Sequence, residues 1–197
     1  MMPLVSLHGR PLYGPYDVTM TLFPASARRS VDEARCPALG MEHACVAWEG
    51  APVADPRALA MALDAVDVPG DLVILAADVL VSDRHLAAGV AMASRRWARD
   101  RAVGRTLGAE LMRCLAGSHH IGEAIKAVGL SKGATSGWLV GLNVDQGGLE
   151  RLLPSFGFDA CAPHSMTEQG RARLGLPAEG DLEHLALGLV AQADLLA

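Results

Sequence analysis

Histidine and cysteine residues cluster at two places in the chain where they could bind a metal ion. Cys36, His43 and Cys45 are close together, and His119 is followed directly by His120. A structural zinc site uses four ligands, usually in two tightly spaced pairs, and no Cys-x-x-Cys motif or second pair accompanies these residues. The sequence therefore predicts no metal site and no cofactor.

The sequence also lacks the usual motifs of nucleophilic catalysis and ATP binding. Cys114 lies on the apolar side of a predicted helix, where a thiol is buried and inert, and there is no Gly-x-Ser-x-Gly motif. The glycine-rich segment 129–137 does not end in Gly-Lys-Ser/Thr, and it connects a predicted helix to a strand, the reverse of a phosphate-binding loop. We therefore expect that the chain is not an enzyme.

The segment 115–121 has the features of an anion-binding turn. Gly117 lets another group approach the backbone, and Ser118 precedes a predicted helix whose first N–H groups and dipole favour a negative charge. His119 and His120 could add hydrogen bonds or stack on a nucleobase. The segment is interpreted as a pocket for a phosphate-bearing end without catalytic groups; the alternative is an ordinary turn between helices.

Basic residues are concentrated in the middle of an otherwise acidic chain. The formal net charge is −5 at pH 7, which by itself disfavours nucleic-acid binding. Residues 83–132 nevertheless contain nine Lys or Arg and four acidic residues, a balance of +5 against −10 for the rest of the chain. Helical spacing places Arg95, Arg96 and Arg99 within a sector of about 100° that faces away from Trp97. This basic face predicts an anionic partner, and a solvated helix surface is the alternative.

Hydrophobic periodicity predicts the elements that position these residues. Asp55, which is followed by Pro56, is expected to cap a helix, as are Ser82 and Ser118, and Gly117 is expected to end one. The third strand is expected to be central and buried on both faces. Strands are predicted over residues 17–23, 42–48, 72–81 and 134–142, with a loop over 24–40, and helices over 55–66, 82–102, 105–116, 119–128, 147–153 and 182–196.

Three predicted helices carry apolar stripes that are expected to face the core. The last of the three is expected to pack on the core, and partner binding is the alternative. The stripes are Leu86, Val90, Ala93 and Trp97; Ile121, Ala124, Ile125 and Val128; and Leu182, Leu185, Leu189, Ala193 and Leu196. Because strands and helices do not alternate regularly, the sequence predicts one α+β (mixed α/β) domain over residues 1–197. Its mixed or mostly antiparallel sheet of about four strands is packed with several helices.

The apolar segments of the sequence indicate where in the cell the protein is expected. No run is long enough to span a membrane. The first residues lack a basic start followed by a long apolar stretch, so no signal peptide is predicted. The expected location is the cytoplasm.

A resemblance to a known family rests on one run of residues. The sequence Arg105-Thr-Leu-Gly-Ala-Glu-Leu-Met-Arg-Cys-Leu-Ala-Gly-Ser-His-His-Ile-Gly-Glu-Ala-Ile125 resembles the signature of the PRPK-binding protein (TPRKB) family, an archaeal and eukaryotic group of KEOPS accessory subunits. The resemblance is best supported over residues 72–142. Family members commonly have Arg-Gln where this chain has His119-His120, and often an aromatic residue in place of Cys114.

The resemblance implies a non-catalytic subunit of the complex that makes threonylcarbamoyladenosine in tRNA, with the chemistry in another, metal-containing subunit. The expected partners are the small kinase-like ATPase subunit and the single-stranded CCA acceptor end of tRNA, with no membrane and no small-molecule substrate. The expected tRNA-binding residues are Arg95, Arg96, Arg99, Arg101, Arg105, Gly117, Ser118, His119 and His120.

Two alternatives from other classes remain open. The chain could be a small-molecule enzyme in which His119 or His120 acts as a general base beside the Gly117 turn. It could also be a scaffold that binds the kinase-like subunit through an apolar face and never contacts RNA. A solvent-exposed patch of Leu or Met would favour this scaffold and would also be compatible with RNA binding.

Overall fold

A computed structural model describes residues 41–195 of the chain. The predicted strand over 17–23, the predicted loop over 24–40, Cys36 and Leu196 therefore lie outside the described residues. Within the described part, no helix is long and apolar enough to cross a membrane.

One four-stranded antiparallel sheet forms the centre of the described fold, which confirms the predicted α+β class. Strand β1 is His43–Gly50, β2 is Asp71–Ala76, β3 is Ser136–Leu142 and β4 is Phe158–Ala160. The strands lie in the order β2-β3-β1-β4, and every neighbouring pair is antiparallel. The expectation that β2 is central is wrong, because β3 returns between β1 and β2 and leaves β2 as an outer strand.

The predicted helices occur in the predicted order: α1 to α4 are shorter than predicted, and α5 is shifted by one residue. Asp55 and Ser82 cap the first two, because their side chains accept backbone N–H groups of the first turn, as their sequence positions predict. The bounds are Pro56–Asp64 for α1, Asp83–Ala98 for α2, Leu107–Ala116 for α3, Ile121–Val128 for α4, Gln146–Leu152 for α5, Glu168–Arg173 for α6 and Leu182–Leu195 for α7, with a 3₁₀ turn over Leu153–Phe156.

Alternating strand residues supply a core on each face of the sheet. Cys45 and Ala47 of β1 face one core, which also contains buried residues of α2, α3 and α7. Ala44, Val46 and Trp48 face the other core, together with residues of α1 and α5. The sheet therefore lies between two helical layers, and the basic part of the chain belongs to the layer formed by α2, α3 and α7.

The C-terminal part of the chain contains both a confirmed prediction and two missed elements. Ala193 of α7 is buried in the core, and Leu182, Leu185 and Leu189 pack against it, so this helix packs on the core as expected. The stretch between Pro154 and Leu182, for which the sequence predicts no helix or strand, contains β4 and α6. These elements have three and six residues, too few to show a hydrophobic period.

Candidate functional site

The helix α2 ends in a tight turn that presents several arginines. The Asp100 N–H donates to the Trp97 carbonyl at 3.1 Å and the Arg101 N–H donates to the Arg96 carbonyl at 2.9 Å, the hydrogen-bond pattern of a Schellman motif. Asp100 occupies the left-handed position of this motif with φ of 54°, where glycine is usual. The turn stops the helix at Ala98, four residues earlier than predicted.

Arg96 does not lie on the exposed basic face where the sequence placed it. Its side chain is only 4% exposed. It lies seven and eleven positions after Gly89 and His85, both of which are also buried, so all three share the helix face that packs against the neighbouring helices. Arg96 is therefore buried beneath the surface that a nucleic acid could contact.

Trp97 was expected in the core and is exposed instead. Its angular position does continue the buried line of Leu86 and Val90 along α2. However, the helix ends one residue later, and 44% of the Trp97 surface is exposed to solvent. The apolar stripe of α2 therefore faces the core side as predicted, but the core does not extend as far as Trp97, the last residue of the stripe.

The buried partner of Arg96 is Glu110, which is not among the site residues predicted from the sequence. Its carboxylate is fully buried and accepts from Arg96 Nε at 2.6 Å and from Arg113 Nη1 at 2.8 and 2.9 Å. It also accepts from the backbone N–H groups of Val103 and Gly104 at 3.0 and 2.7 Å. Burial alone raises the pKa of Glu110, but these donors outweigh it and the pKa is lowered. Glu110 therefore stays ionised and fixes the loop between α2 and α3.

Arg113, also fully buried, connects the same carboxylate to the turn between α3 and α4. Its Nε donates to the His119 carbonyl at 3.0 Å, and its Nη2 lies 3.5 Å from His119 Nδ1. Two side chains, Glu110 and Arg113, thus hold the arginine-rich loop and the histidine turn in one fixed arrangement. A charged i,i+3 pair inside an apolar helix face was the sequence signal that could have revealed them.

The turn itself matches its prediction in part. Gly117 ends α3 in the left-handed conformation, with φ of 60°. Ser118 does not cap α4 directly: its hydroxyl accepts the His120 N–H at 3.1 Å and donates to Glu123 at 2.8 Å, while α4 begins at Ile121 with no side-chain cap. The predicted helix start at His119 is therefore two residues early. His119 is partly buried, and the His120 side chain is exposed.

Gly117 is required here by helix packing. A Cβ at this position would lie 2.9 Å from the Leu189 carbonyl oxygen and 3.1 Å from Leu189 Cα, both in α7. The sequence predicts that Gly117 lets a ligand approach the backbone closely. In the structure the backbone of α7 makes this close approach instead. This contact presses the α3–α4 turn against the last helix.

The remaining predicted arginines lie on the surface. Their side chains are exposed, and within residues 41–195 none of them forms an ion pair. Their charges are therefore available to an external anion, although their contact with RNA stays a prediction. They are Arg95, Arg99, Arg101 and Arg105.

Two isoleucines of α4 are exposed, although the sequence predicted them in the core. Ile121 is 39% exposed and Ile125 is 49% exposed, whereas Ala124 and Val128 are buried as expected. The buried stripe of this short helix is narrow, because α4 packs mainly on α3 and leaves the residues beside the stripe uncovered. Ile121 and Ile125 form one aliphatic strip, one turn apart on the same side.

The cysteines show no sign of reactivity in the described residues. Cys45 and Cys114 are buried, and burial raises the pKa of both thiols well above the usual range. Cys161 Sγ lies 3.6 Å from His164 Nε2, a contact that the sequence did not suggest. The Trp48 carbonyl, which can only accept, lies 3.3 Å from the same nitrogen. Nε2 is thus a donor and cannot act as a base toward Cys161. No group of three or more His, Cys, Asp or Glu residues within 41–195 could hold a metal ion.

Within residues 41–195 the structure combines an α+β scaffold, exposed arginines without an ion pair, a fixed histidine turn and an exposed aliphatic strip, which are surface features suited to binding. The sequence model of the family described as kinase binding protein CGI-121 matches residues 53–152 of the chain. The chain belongs to this kinase-binding family, which confirms the resemblance to the PRPK-binding protein family. No match was found among curated proteins.

Proposed function

We propose that the chain is the accessory subunit of a KEOPS tRNA-modifying complex. It binds the kinase-like ATPase subunit, captures the 3′ CCA end of tRNA and performs no chemistry itself. The family membership supports the kinase-binding part of this proposal. The tRNA part rests on one observation: Glu110 and Arg113 join the arginine-rich loop to the His119–His120 turn through hydrogen bonds of 2.6 to 3.0 Å.

The arrangement suits a single-stranded RNA end. Such ends are bound by a basic groove that follows the phosphates, combined with groups that stack on or hydrogen-bond to bases. The exposed arginines supply charge, and the histidine turn supplies two rings in contact, with their centroids 5.6 Å apart. Because Arg113 can only donate, its contact with His119 makes Nδ1 an acceptor and occupies the lone pair that a general base would need.

The kinase-binding part is assigned to α4. Its strip of Ile121 and Ile125 lies within residues 53–152, the segment that the family model matches. A surface that binds a partner common to the family is expected to lie within that segment. Exposed aliphatic pairs on one helix face are typical of protein contacts. The scaffold and RNA-binding functions are therefore combined in one chain on separate residues.

A titration of the full chain tests the tRNA part. The ligands are one tRNA with an intact CCA end and the same tRNA lacking its three terminal nucleotides, each at two salt concentrations. Capture of the acceptor end predicts binding that is lost with the CCA nucleotides and weakened by salt. Equal binding of both tRNAs, or binding of neither, would contradict it. Turnover of a small molecule that disappears in His120→Ala would instead favour the enzyme alternative.

A further inference from the structure

Trp97 differs from the other two tryptophans of this chain in its surroundings. Trp48 and Trp138 are 0% and 2% exposed, and each has a defined contact: Trp48 stacks on Phe158, and Trp138 donates to the Ala77 carbonyl. Trp97 is 44% exposed. Within residues 41–195 its indole makes no hydrogen bond, ring stack or cation–π contact. Among the described residues, a large aromatic ring is thus held at the surface without a hydrogen-bond or ring partner.

The position of Trp97 is fixed by backbone structure. Its carbonyl accepts the Asp100 N–H in the capping turn, and the preceding Arg96 is anchored in the core by Glu110. Arg96 Nη2 also donates to the Arg101 carbonyl at 2.9 Å, so the residue after the turn is tied to the same anchor. The ring therefore projects from a rigid base, and binding a ligand there requires little ordering.

The charge around Trp97 indicates the class of ligand. Arg101 follows it in the capping turn, and Arg105 lies on the loop beyond; both are exposed and without an ion pair within residues 41–195, whereas Arg99 faces the opposite side of α2. Asp100 is the one acidic residue between Trp97 and Arg105. An exposed aromatic ring followed in the chain by unpaired cations matches an unpaired base with its phosphates. Trp and Arg are also enriched in protein interfaces, so a protein contact is the alternative outcome that the experiment must distinguish.

We infer that Trp97 is a stacking platform for an unpaired nucleobase at the single-stranded end of the bound tRNA. The inference rests on the proposed tRNA function and adds to it a residue and a mode of recognition. Stacking uses the π-face that every base has, so Trp97 contributes affinity for single strands, and the arginines contribute the salt dependence.

Intrinsic fluorescence tests this directly, because Trp97 is the exposed tryptophan and the other two are buried. The full chain is titrated with tRNA carrying its CCA end and with the free trinucleotide CCA. Stacking predicts quenching of the emission by both ligands. The variant Trp97→Ala should bind the tRNA about 5- to 100-fold more weakly with an unchanged salt slope, and Trp97→Tyr should restore most of the affinity. Thermal unfolding of each variant checks that the fold is intact.

The outcomes separate the inference from the proposed function. Wild-type chain that binds CCA-ended tRNA without quenching, with Trp97→Ala binding equally well, would overturn the inference and leave the function standing. A Trp97→Ala variant that loses only the kinase-like subunit would also overturn it, in favour of a protein contact. Wild-type chain that binds no tRNA would overturn both.

Discussion

Arg96 and Glu110 are fourteen residues apart in sequence and form an ion pair in which Arg96 Nε lies 2.6 Å from Glu110 Oε1. The exposed fractions of the two side chains are 4% and 0%. Together with Arg113 they form a buried group whose hydrogen bonds reach the α2–α3 loop, the α3–α4 turn and the Ala193 carbonyl of α7. This buried group fixes the positions of the α2–α3 loop and the α3–α4 turn, which together form the candidate site.

Replacing Glu110 should therefore destabilise the whole fold. Glu110→Gln keeps the size of the side chain but leaves the buried Arg113 without its counter-ion and Arg96 with only the half-exposed Asp194, 3.6 Å away. The expected loss is about 3 kcal/mol of unfolding free energy. Urea unfolding at pH 7 measures it. Glu179→Gln is the matched control, because Glu179 is exposed and makes no side-chain hydrogen bond or ion pair within residues 41–195, and it should change stability by less than about 0.5 kcal/mol. Equal effects of the two changes would contradict the buried role of Glu110.

His85 should make the fold sensitive to mild acid. It is fully buried, and burial lowers its pKa from 6.5 to about 4, a shift only partly offset by the Leu115 backbone. The unfolded chain therefore binds the proton more readily, so stability is complete above pH 6.5 and falls as the pH drops toward 4. The expected loss is about 3 kcal/mol across that window.

Unfolding measured as a function of pH tests the contribution of His85. The variant His85→Leu should lose less stability than the wild type between pH 6.5 and 4. Burial also lowers the pKa of His43, so part of the pH dependence should remain. The control is His184→Gln: this side chain is 85% exposed and its ion pair with Asp181 is also exposed, so its loss should change the pH profile little. An unchanged pH profile in His85→Leu would show that the fold tolerates a charge at this position.

Gly117 should be far less replaceable than a glycine of similar conformation elsewhere. Gly117 and Gly175 have φ values of 60° and 66°, but a Cβ would meet Leu189 at Gly117 and nothing within 4 Å at Gly175. Gly175→Ala should cost about 1 kcal/mol from backbone strain alone. Gly117→Ala should cost at least about 1 kcal/mol more, because the α7 backbone must move. Chemical denaturation compares the two, and equal costs would contradict the close approach.

The exposed arginines should set the salt dependence of tRNA binding. Arg99→Ala and Arg105→Ala should each lower the slope of log affinity against log salt by about one unit if each contacts a phosphate. Binding titrations at several salt concentrations measure the slopes. Arg57→Ala and Arg151→Ala are controls, because these exposed residues lie on α1 and α5, in the helical layer across the sheet. Slopes that fall equally in all four variants would indicate nonspecific attraction.

The aliphatic strip of α4 should carry the kinase contact. Ile121→Glu and Ile125→Glu each place a charge where an apolar partner surface must pack, and we expect at least about a tenfold loss of affinity for the kinase-like subunit. Calorimetric titration measures the loss. Met61→Glu, at a residue 63% exposed on α1, is the control and should have no effect. Retained kinase binding in both α4 variants would place the contact on another face.

Several features were predictable because they depend on residues close together in sequence. The Asp55-Pro56 and Ser82 helix starts and the Gly117 helix end follow from local hydrogen bonding and backbone preference. The packing of α7 on the core follows from its helical period, although the buried Ala186 and Val190 lie beside the predicted stripe. The order of the strands was not predictable in this way, since β3 enters between β1 and β2 from far along the chain.

The sequence by itself determined the local elements, the concentration of basic residues in 83–132 and the motif that carries the family resemblance. Only the tertiary structure decided which of these residues are exposed. Arg96 is buried because Glu110 and the Ala193 carbonyl, 14 and 97 residues away, meet it there. Trp97 is exposed because the hydrophobic core does not extend along α2 as far as this residue. Helical periodicity gives the direction of a side chain, but burial depends on what other segments place in that direction.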